Sequence, residues 1–489
     1  MHNRSSRRRS PWIQRLSVPL AAAALTILAA CALKKPPDAA AIKESALPTV
    51  TLPAQWTAAG AGAGTVADNW LVSFHDDQLN AAVGEAIAHN ADLRVAAARV
   101  EQALLYAKLA GAKLYPSVDV VARGGGKLSG DGSGIQGAVL SLSWELDLWG
   151  RVRYGRAAAA ADAASAEADF LYARQSIAAV VARSWFMAVE AGLQAELARQ
   201  TVARGDELVQ LADTRSRVGV GNDQDVEVAR ANVGTYRDAL RQLELAREQA
   251  LRALEILIGR YPAAAASVSA QLPAQPEGVP AGLPSELLER RPDVVAAERR
   301  VAAAFNRVGE AKAARLPTIS LTTGISTISS ELFVLQDHSN PVWNAGAGLL
   351  APVYKGGALR TQVDIRTVEQ KQAIAAYASI GLRAFSEVEN ALASEIAARD
   401  RERILAESQS HNQRALEIVQ TQFKVGSTDL RFVNERQLVL NTTSAALIRV
   451  QAEQRVQRVN LHLALGGSFE PRPAPPAGST PPEDPAKKK

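Results

Sequence analysis

The chain consists of one long unit that is written twice. Residues 91–103 recur as residues 292–304 at an offset of 201 (292 minus 91), and after a loop in which the second copy has gained residues the match continues at an offset of 207 (357 minus 150). This period is far longer than the roughly 20–50 residues of solenoid repeats, so each copy is a substantial structural half. Whatever elements the first half forms, the second half must form as well.

Each half begins with a helix and a pair of strands. The stretch over about 77–113 is rich in Ala, Leu, Arg and Glu and has no proline, which predicts a helix that ends before Pro116. Apolar and polar residues then alternate over about 117–123 and 138–145, with a Gly- and Ser-rich stretch between them, which predicts a hairpin of two strands. The equivalent strands of the second half are predicted at about 318–326 and 343–350.

A pair of very long helices follows each strand hairpin. A run of roughly 65 proline-free residues at about 1.5 Å per residue makes a rod of roughly 100 Å, which no ordinary globular domain needs. Turns at Val218-Gly219 and Val425-Gly426 reverse the chain, which predicts helical hairpins over about 153–258 and 358–466. The predicted fold class is mixed α+β, mainly α, with an internal duplication.

The N-terminus has the composition of a lipoprotein signal. Five Arg precede an apolar run over 16–27, and Leu28-Ala29-Ala30-Cys31 follows as a lipoprotein cleavage box. We therefore predict that residues 1–30 are removed and that Cys31, the one cysteine, receives a covalent lipid, while Ala32 after it favours delivery to the outer membrane. Without those five Arg, 55 basic residues become 50 against 50 acidic ones, which argues against a nucleic-acid-binding protein.

The mature chain has no evident way to cross a membrane alone. No stretch after Ile27 is continuously apolar for about 20 residues, so no transmembrane helix is predicted. A closed barrel remains, but membrane barrels need at least about eight strands and one chain offers four. Two, three or four chains would have to share a barrel, and the residues leave that number open. A soluble sandwich of the strands and a solvated coiled-coil rod of the helices are the open alternatives.

The strand faces favour the membrane alternative. In three of the four strands one face is mostly apolar and the other consists of Ser, Thr, Asn and Gly, which suits lipid outside and water inside. The predicted domain organisation is a signal peptide over 1–30, an extended lipid-anchored segment over 31–69, a first repeat over 70–260, a linker over 261–291, a second repeat over 292–469 and a disordered tail over 470–489.

Six motifs indicate a family. They are WLVSFHDDQL at 70–79, NADLRVA at 90–96, WELDLWGR at 144–151, GVPAGLPSELL at 278–288, RRPDV at 290–294 and ALGG at 464–467. Together they resemble the OprM-like outer-membrane lipoproteins of tripartite efflux pumps, within the TolC superfamily, over about residues 31–469. The resemblance implies a homotrimer with a shared 12-stranded transmembrane β-barrel, a periplasmic α-barrel built from the helical hairpins, and an equatorial region built from the termini and the linker.

The resemblance also implies a function and partners. Such proteins conduct drugs or other small solutes out of the cell, dock to a periplasmic adaptor (membrane fusion) protein, and are coupled by it to an inner-membrane RND pump. They catalyse nothing and need no cofactor, so the covalent lipid on Cys31 is the only expected non-protein group.

The residues that match the family's gate and docking regions lie at the two hairpin turns. Gate candidates are Arg431, Glu435 and Asp429 at the second turn and Asp223 and Asp225 at the first. Glu435 is expected to form a threefold acidic ring, and Arg431, one turn away, is expected to pair with it; a solvated surface pair is the alternative. Adaptor-contact candidates are Gly219, Val220, Gly221, Gly426 and Ser427, whose other possible role is helix capping.

Two other functional classes remain as alternatives, and an enzyme is not one of them. The six His, at 2, 75, 89, 338, 411 and 462, lack the spacing of a metal site, and no Cys pair or nucleophile motif occurs, so an enzyme is not predicted. A lipid-anchored periplasmic adaptor would carry one helical hairpin, whereas this chain has two in tandem. A TolC-like channel for type I protein export would keep the fold and differ in its partner pump.

Overall fold

A computed structural model describes residues 33–58, 66, 68–123, 136–276, 278–329 and 342–470. The predicted signal peptide, Cys31 and all but the first residue of the predicted tail lie outside this range. The chain forms two compact units, each built from three segments. Unit 1 consists of Met1–Pro48, Arg99–Glu167 and Ala296–Ser379, and unit 2 of Thr49–Ala98, Ala168–Val295 and Ile380–Lys489.

The described residues are mainly helical, with four strands. In chain order the elements are α1 Ala39–Ala46, α2 Asp77–His89, α3 Ala91–Ala112, β1 Ser117–Arg123, β2 Gln136–Leu146, α4 Arg151–Arg217, α5 Asp223–Leu257, α6 Leu287–Arg290, α7 Pro292–Ala313, β3 Thr318–Ser329, β4 Val342–Leu350, α8 Ala358–Lys424 and α9 Leu430–Ala464. Helices α3 and α7 have 22 residues each, α4 and α8 have 67, and α5 and α9 have 35. These three pairs of helices therefore agree in order and length between the halves, whereas α2 has 13 residues and α6, before α7, has 4.

The four strands form one antiparallel sheet in the order β1-β2-β3-β4, which lies in unit 1. Partners across the ladders share a face, so the register decides which side chains lie together. Val120 is opposite Leu140, Leu140 is opposite Ile325, and Ile325 is opposite Trp343. One face is therefore mostly apolar across all four strands, while the other begins with Ser117 opposite Ser143, whose hydroxyl oxygens are 3.0 Å apart.

The centre of unit 2 is an aromatic core. Trp70 packs edge-on against Phe74, and Phe74 lies 5.1 Å from Phe186 of α4, measured between ring centroids. The ring of His462 stacks on Trp70 at 5.4 Å and is 3% exposed. Burial, with a smaller contribution from Arg458, lowers the pKa of His462 to about 3. His462 is therefore a neutral core residue at physiological pH.

Equivalent residues of the two halves perform the same task in unit 2. The side-chain amide of Asn90 donates to the carbonyl of Leu257 at 3.0 Å, at the end of α5. At the equivalent positions, 90 + 201 and 257 + 207, Arg291 donates to the carbonyl of Ala464 at 3.2 Å, at the end of α9. Each contact satisfies a carbonyl that a helix end would otherwise leave unpaired.

Carboxylates hold two irregular segments of unit 2. Burial alone would raise the pKa of Glu255, but the backbone N–H groups of Ala264, Ala265 and Ala266 donate to it at 2.6–2.7 Å and hold the pKa below its ordinary value. Glu389 accepts from the N–H groups of Thr57 and Ala58 at 2.8 Å. Each carboxylate thus holds its segment, the start of the linker or the N-terminal segment, through backbone N–H groups. These contacts do not depend on which side chains the segment carries.

One helix among the described residues, α4, is long and apolar enough to cross a membrane by length and composition; 44% of its most apolar window is buried. No transmembrane helix was predicted after Ile27, and that stays a prediction, because α4 meets the requirement by length and composition alone. Helix α4 supplies Ala178, Val181 and Trp185, among others, to the core of unit 2, which accounts for its apolar composition. A single helix of this kind is weak support for a membrane span.

Candidate functional site at the hairpin turns

The two helical hairpins of unit 2 reverse through turns of the same design. The N–H of Gly221 donates to the carbonyl of Arg215 at 2.9 Å in the first turn, and the N–H of Ser427 donates to the carbonyl of Gln422 at 2.9 Å in the second. Gly219 and Gly426 have φ of 74° and 80°, the left-handed conformation that glycine tolerates best. Helix capping, the alternative role considered for Gly219 and Gly426, is thus present at both turns.

The following helices begin differently in the two turns. At the first, the side chain of Asn222 caps α5 by accepting from the N–H of Asp225 at 2.7 Å, and the carboxylate of Asp223 accepts from the hydroxyl of Ser216 at 2.7 Å. At the second, Asp429 is the N-cap residue of α9, but its side chain makes no capping hydrogen bond. The exposed carboxylate of Asp429 is therefore not used to cap its own helix.

The gate candidates Arg431 and Glu435 do not form the predicted pair. Glu435 contacts its neighbour Arg436, with 2.7 Å between the carboxylate and guanidinium, and its side chain is 53% exposed. The guanidinium of Arg431 lies over the ring of Phe432 instead, 5.2 Å from its centroid. Arg436 pairs with Glu435 although adjacent residues of a helix do not face each other. This contact and the cation–π contact of Arg431 replace the ion pair that was expected between residues one turn apart.

The adaptor-contact candidates lie among exposed apolar side chains. Val220 is 63% exposed and Val425 is 76% exposed, one in each turn. Gly221 is constrained, because a Cβ there would come 3.0 Å from the backbone nitrogen of Ser216. Gly219 has nothing within 4 Å of the place where a Cβ would lie. Glycine is favoured at this position only because the backbone has a positive φ.

Arg215 connects the two turns. Its guanidinium donates to the carbonyl of Phe423 at 2.8 Å, at the end of α8, and to the carbonyl of Val220 at 3.1 Å, in the first turn. It also lies over the ring of Phe423, 4.8 Å from the centroid. A cation at a helix C-terminus is favourable because the last carbonyls lack intrahelical partners. Arg215 was not among the residues predicted from the sequence. The two copies differ at this position, since the equivalent of Arg215 is Gln422.

A small apolar core and a cavity lie behind the turns. Phe423, Leu430 and Val433 of the second hairpin pack with Ala212 and Val226 of the first, and all five are at most 6% exposed. A cavity of about 240 Å³ lies beside this core and is lined by residues of both hairpins, among them Arg204, Tyr236, Lys424 and Asn434. The hairpins are therefore held together near their turns by burial as well as by Arg215.

We expect Arg215→Ala to loosen the two turns without unfolding the chain. The change removes charge-assisted hydrogen bonds and one cation–π contact, together about 1–3 kcal/mol at a half-buried site. Amide hydrogen exchange at 218–222 and 425–429 should accelerate. Arg217→Ala is the matched control, because the Arg217 side chain is 72% exposed and pairs only with Asp213. Equal exchange in both variants would contradict a connecting role for Arg215.

Other site chemistries find no support in the described residues. No group of three or more His, Cys, Asp and Glu there could hold a metal ion. At the first turn the carboxylate of Asp223 accepts from Ser216, and the backbone N–H of Asp225 donates to Asn222. Both hairpin turns and the sheet expose apolar side chains that a partner could contact.

The chain is similar to known efflux proteins along most of its length. A family model described as "Outer membrane efflux protein" matches residues 82–260 and 283–467. The cation efflux system protein CusC of Escherichia coli O6:H1 is 31% identical over 441 residues, which cover 86% of this chain and 94% of CusC. The pyoverdine export outer membrane protein OpmQ of Pseudomonas aeruginosa is 30% identical over 438 residues, 86% of this chain and 91% of OpmQ.

A solved structure shows the same fold. The MtrE outer membrane channel of Neisseria gonorrhoeae, in its open state, is 27% identical with a TM-score of 0.77, and the match covers 90% of this chain and 98% of MtrE. The family resemblance and the outer-membrane localisation predicted from the sequence are thereby confirmed. The chain belongs to the outer membrane efflux protein family.

Proposed function

We propose that the chain is the outer-membrane exit duct of a tripartite RND-type pump, which passively conducts small solutes from the periplasmic pump and adaptor to the cell exterior. The observation that carries this proposal is the sheet, whose continuous apolar face is exposed to solvent. Val120 is 70% exposed, Trp343 71% and Leu349 71%. An apolar face of this extent is typical of a surface that contacts lipid or protein.

The edges of the sheet support a shared barrel. Among the described residues, β1 pairs only with β2 and β4 pairs only with β3, so two edges offer unpaired backbone groups. Such edges cannot face lipid, and closure into a barrel removes them. Because the meander has four strands, β4 of one copy and β1 of the next are antiparallel, and three copies give a barrel of about 12 strands. The homotrimer is the arrangement we propose, in agreement with the channel fold.

Aromatic side chains mark one end of the sheet as a membrane boundary. Tyr115 is 73% exposed and Tyr354 is 87% exposed, next to the start of β1 and the end of β4. Trp149 is 45% exposed, and its indole N–H donates to the carbonyl of Pro317 at 2.7 Å. Exposed Trp and Tyr with a satisfied polar end are typical of the membrane–water interface.

The N-terminal segment lies at this same boundary, which supports lipidation of Cys31. The N–H of Lys34 donates to the hydroxyl of Tyr154 at 2.9 Å, and a Cβ on Gly150 would come 2.7 Å from the Leu33 side chain. Cys31 is only two residues before Leu33, so its lipid could enter the adjacent leaflet.

We expect mass spectrometry of the mature N-terminus to show a diacylglyceryl and an acyl group on Cys31. Cys31→Ser should abolish the diacylglyceryl group, because the Cys31 sulfur is its attachment atom. The acyl group should be lost with it, since it is carried by the α-amino group that processing of the lipidated chain sets free. The protein should then fractionate less completely with the membrane, while its strands still insert. An unmodified Cys31 in the mature parent protein would refute the anchor and leave the channel proposal standing.

The proposed cargo is a small solute. The partner pump, and not this chain, selects which solute is transported. The relatives named above serve cargoes as different as cations and pyoverdine, on one fold. The lumen face of the proposed barrel presents Ser, Thr and Asn side chains, which favour water and bind no particular solute tightly. In the two hairpin turns, Val220 and Val425 with Gly219, Gly221, Gly426 and Ser427 form the proposed adaptor contact.

The proposed gate is tested by conductance. Glu435 and Arg431 are exposed and make only local contacts, so in a trimer three copies can approach around the axis. Glu435→Ala with Arg431→Ala should raise the single-channel conductance of the purified protein in planar bilayers, because side-chain bulk and charge leave the constriction. Glu227→Ala with Arg230→Ala is the matched control, an exposed pair at the start of α5. Unchanged conductance excludes Glu435 and Arg431 from the gate, and no channel activity at all refutes the proposed function.

A further inference from the structure

The second helical hairpin of unit 2 forms a polar cleft with the neighbouring helix α4. The cleft has a volume of about 360 Å³, and its lining comes from α4, α8 and α9. Pockets that hold small molecules typically measure about 300–1,000 Å³. Polar side chains make up most of the lining, among them Arg183, Asn390, Ser394, Gln457 and Asn460. The cleft is therefore large enough for a small solute and offers it hydrogen-bonding groups.

Arg183 brings a positive charge to this cleft without a carboxylate partner. Its guanidinium is half-buried and donates to the side-chain oxygen of Asn460 at 2.9 Å. Among the residues that the structure describes, no Asp or Glu forms an ion pair with it. Burial lowers the pKa of Arg183, and the opposing contribution comes from Tyr172. One hydrogen bond leaves most of the N–H groups of a guanidinium unused.

Two fully buried arginines of unit 2 show the usual arrangement. Arg458 pairs with Glu395, and Arg291 pairs with Asp293. A cation that is withdrawn from water without such a partner lowers the stability of the fold. Residues that lower stability in this way are expected at functional sites, where a ligand supplies the missing charge. Arg183 meets this description.

The duplication shows that helix packing does not require the polar lining. The polar residues of α8 and α9 have apolar equivalents in the first hairpin, at an offset of 207: Met187 for Ser394, Ala250 for Gln457 and Ala253 for Asn460. With these residues the first hairpin still forms helices of the same lengths, 67 and 35 residues. The polar side chains of the second hairpin therefore meet a requirement other than helix pairing.

We propose that this cleft binds a small hydroxylated carboxylate, whose anionic end pairs with Arg183 and whose hydroxyl groups contact Asn390, Ser394 and Gln457. A guanidinium can hold a carboxylate through two parallel hydrogen bonds, which fixes its orientation as well as its position. Side-chain amides and hydroxyls both donate and accept, so they match alcohol groups. The site goes beyond the proposed function and does not rest on it, since binding is measured in detergent solution.

Glu387 also lines the cleft, and its charge must be compatible with an anion. Its Oε2 accepts from Arg291 at 2.7 Å, so an adjacent guanidinium offsets its charge. Glu387 does not contribute to the pKa of Arg183, which indicates that the two charges are well separated. A carboxylate at Arg183 therefore lies away from Glu387, whose other oxygen can accept from a ligand hydroxyl.

Gluconate is the probe, because it carries one carboxylate and several hydroxyl groups. Calorimetric titration into the purified protein in detergent should show saturable binding, and the unfolding temperature should rise with gluconate concentration. Sorbitol has the same carbon chain without the carboxylate and should not bind. Hexanoate has the carboxylate without hydroxyls and should bind more weakly. Sorbitol binding as tight as that of gluconate would overturn the anionic ligand, and hexanoate binding as tight would overturn the hydroxylated one.

Substitutions locate the site. Arg183→Gln should weaken gluconate binding by about tenfold or more, because hydrogen bonds to a charged group are lost. Without gluconate its unfolding temperature should be unchanged or higher, because an unpaired half-buried charge is removed. Ser394→Met introduces the residue type of the equivalent Met187 and should block binding by filling the cleft. Arg199→Gln is the matched control on α4, since Arg199 is 45% exposed and pairs with Glu196 at 2.7 Å.

A second copy of the chain is the other possible source of a carboxylate for Arg183. In that case the parent protein should not bind gluconate, and Arg183→Gln should lower the temperature at which the detergent-solubilised oligomer dissociates. That result would overturn the proposal, as would absence of gluconate binding with an unchanged dissociation temperature. Equally tight gluconate binding by the parent protein and the Arg183→Gln variant would place the ligand elsewhere and overturn the site. Single-channel conductance tests the proposed function separately from all of these outcomes.

Discussion

Replacing Arg291 by Met should destabilise unit 2 by about 3 kcal/mol, the lower end of the cost of breaking a buried ion pair. Arg291 is 1% exposed. Its guanidinium pairs with Asp293 at 2.8 Å and with Glu387 at 2.7 Å, and burial is more than offset by these carboxylates, which raise the pKa of Arg291 above its ordinary value. Methionine fills part of the space but leaves two carboxylates and the carbonyl of Ala464 without this donor.

Denaturant unfolding of the detergent-solubilised protein measures the effect. Arg260→Ala is the control, because its pair with Glu85 is 54% and 27% exposed and exposed pairs contribute about 0–1 kcal/mol. Arg291→Lys should rescue little, since one ammonium group cannot bond both carboxylates and the carbonyl in the same geometry. A loss for Arg291→Met no larger than that for Arg260→Ala would contradict the buried network.

Replacing Gly309 by Ala should destabilise unit 1 by about 1–3 kcal/mol, the typical cost of overpacking. A Cβ on Gly309 would lie 2.6 Å from Cε1 and 2.7 Å from Cδ1 of Tyr154, inside van der Waals contact with a rigid ring. Tyr154 has little freedom to move, because its hydroxyl accepts from the N–H of Lys34. The ordinary gain in helix propensity from Gly to Ala, about 1 kcal/mol, offsets only part of this cost.

Two variants separate the clash from the propensity. Gly234 lies in α5 with nothing within 4 Å of the place for a Cβ, so Gly234→Ala should raise stability by up to about 1 kcal/mol. In a Tyr154→Ala background the cost of Gly309→Ala should disappear, because the ring is gone. If Gly309→Ala is as benign as Gly234→Ala in the parent protein, the close approach of α7 and α4 is not as tight as the geometry indicates.

The long elements could be predicted because their signals are local. The helical hairpins expected over about 153–258 and 358–466 begin and end within two residues of α4 with α5 and of α8 with α9. Absence of proline, a glycine at each turn and an Asn or Asp before the next helix are enough to place such boundaries. The family motifs are also local runs of letters, and they were sufficient to indicate the family.

Side-chain partners could not be predicted in the same way. Glu435 was expected to pair with Arg431 because the two lie one turn apart. Instead, Glu435 pairs with Arg436, and the guanidinium of Arg431 lies over the ring of Phe432. Arg215 was missed because its partners, Phe423 and Val220, are reached by side-chain length and by the packing of one hairpin on the other. A comparison of the two copies position by position would have marked Arg215, since Gln422 stands in its place.

By itself the sequence determined the duplicated order of elements and the turns, because each depends on residue type and spacing along the chain. The tertiary structure decided which faces are covered. It placed Val120, Leu140, Ile325 and Trp343 on one sheet face through strand register. It also buried much of α7 and left Leu105 and Leu109 of α3 exposed, although the two helices are equivalent elements of the two halves. Burial depends on which neighbours a helix meets, and that is a property of the packed chain.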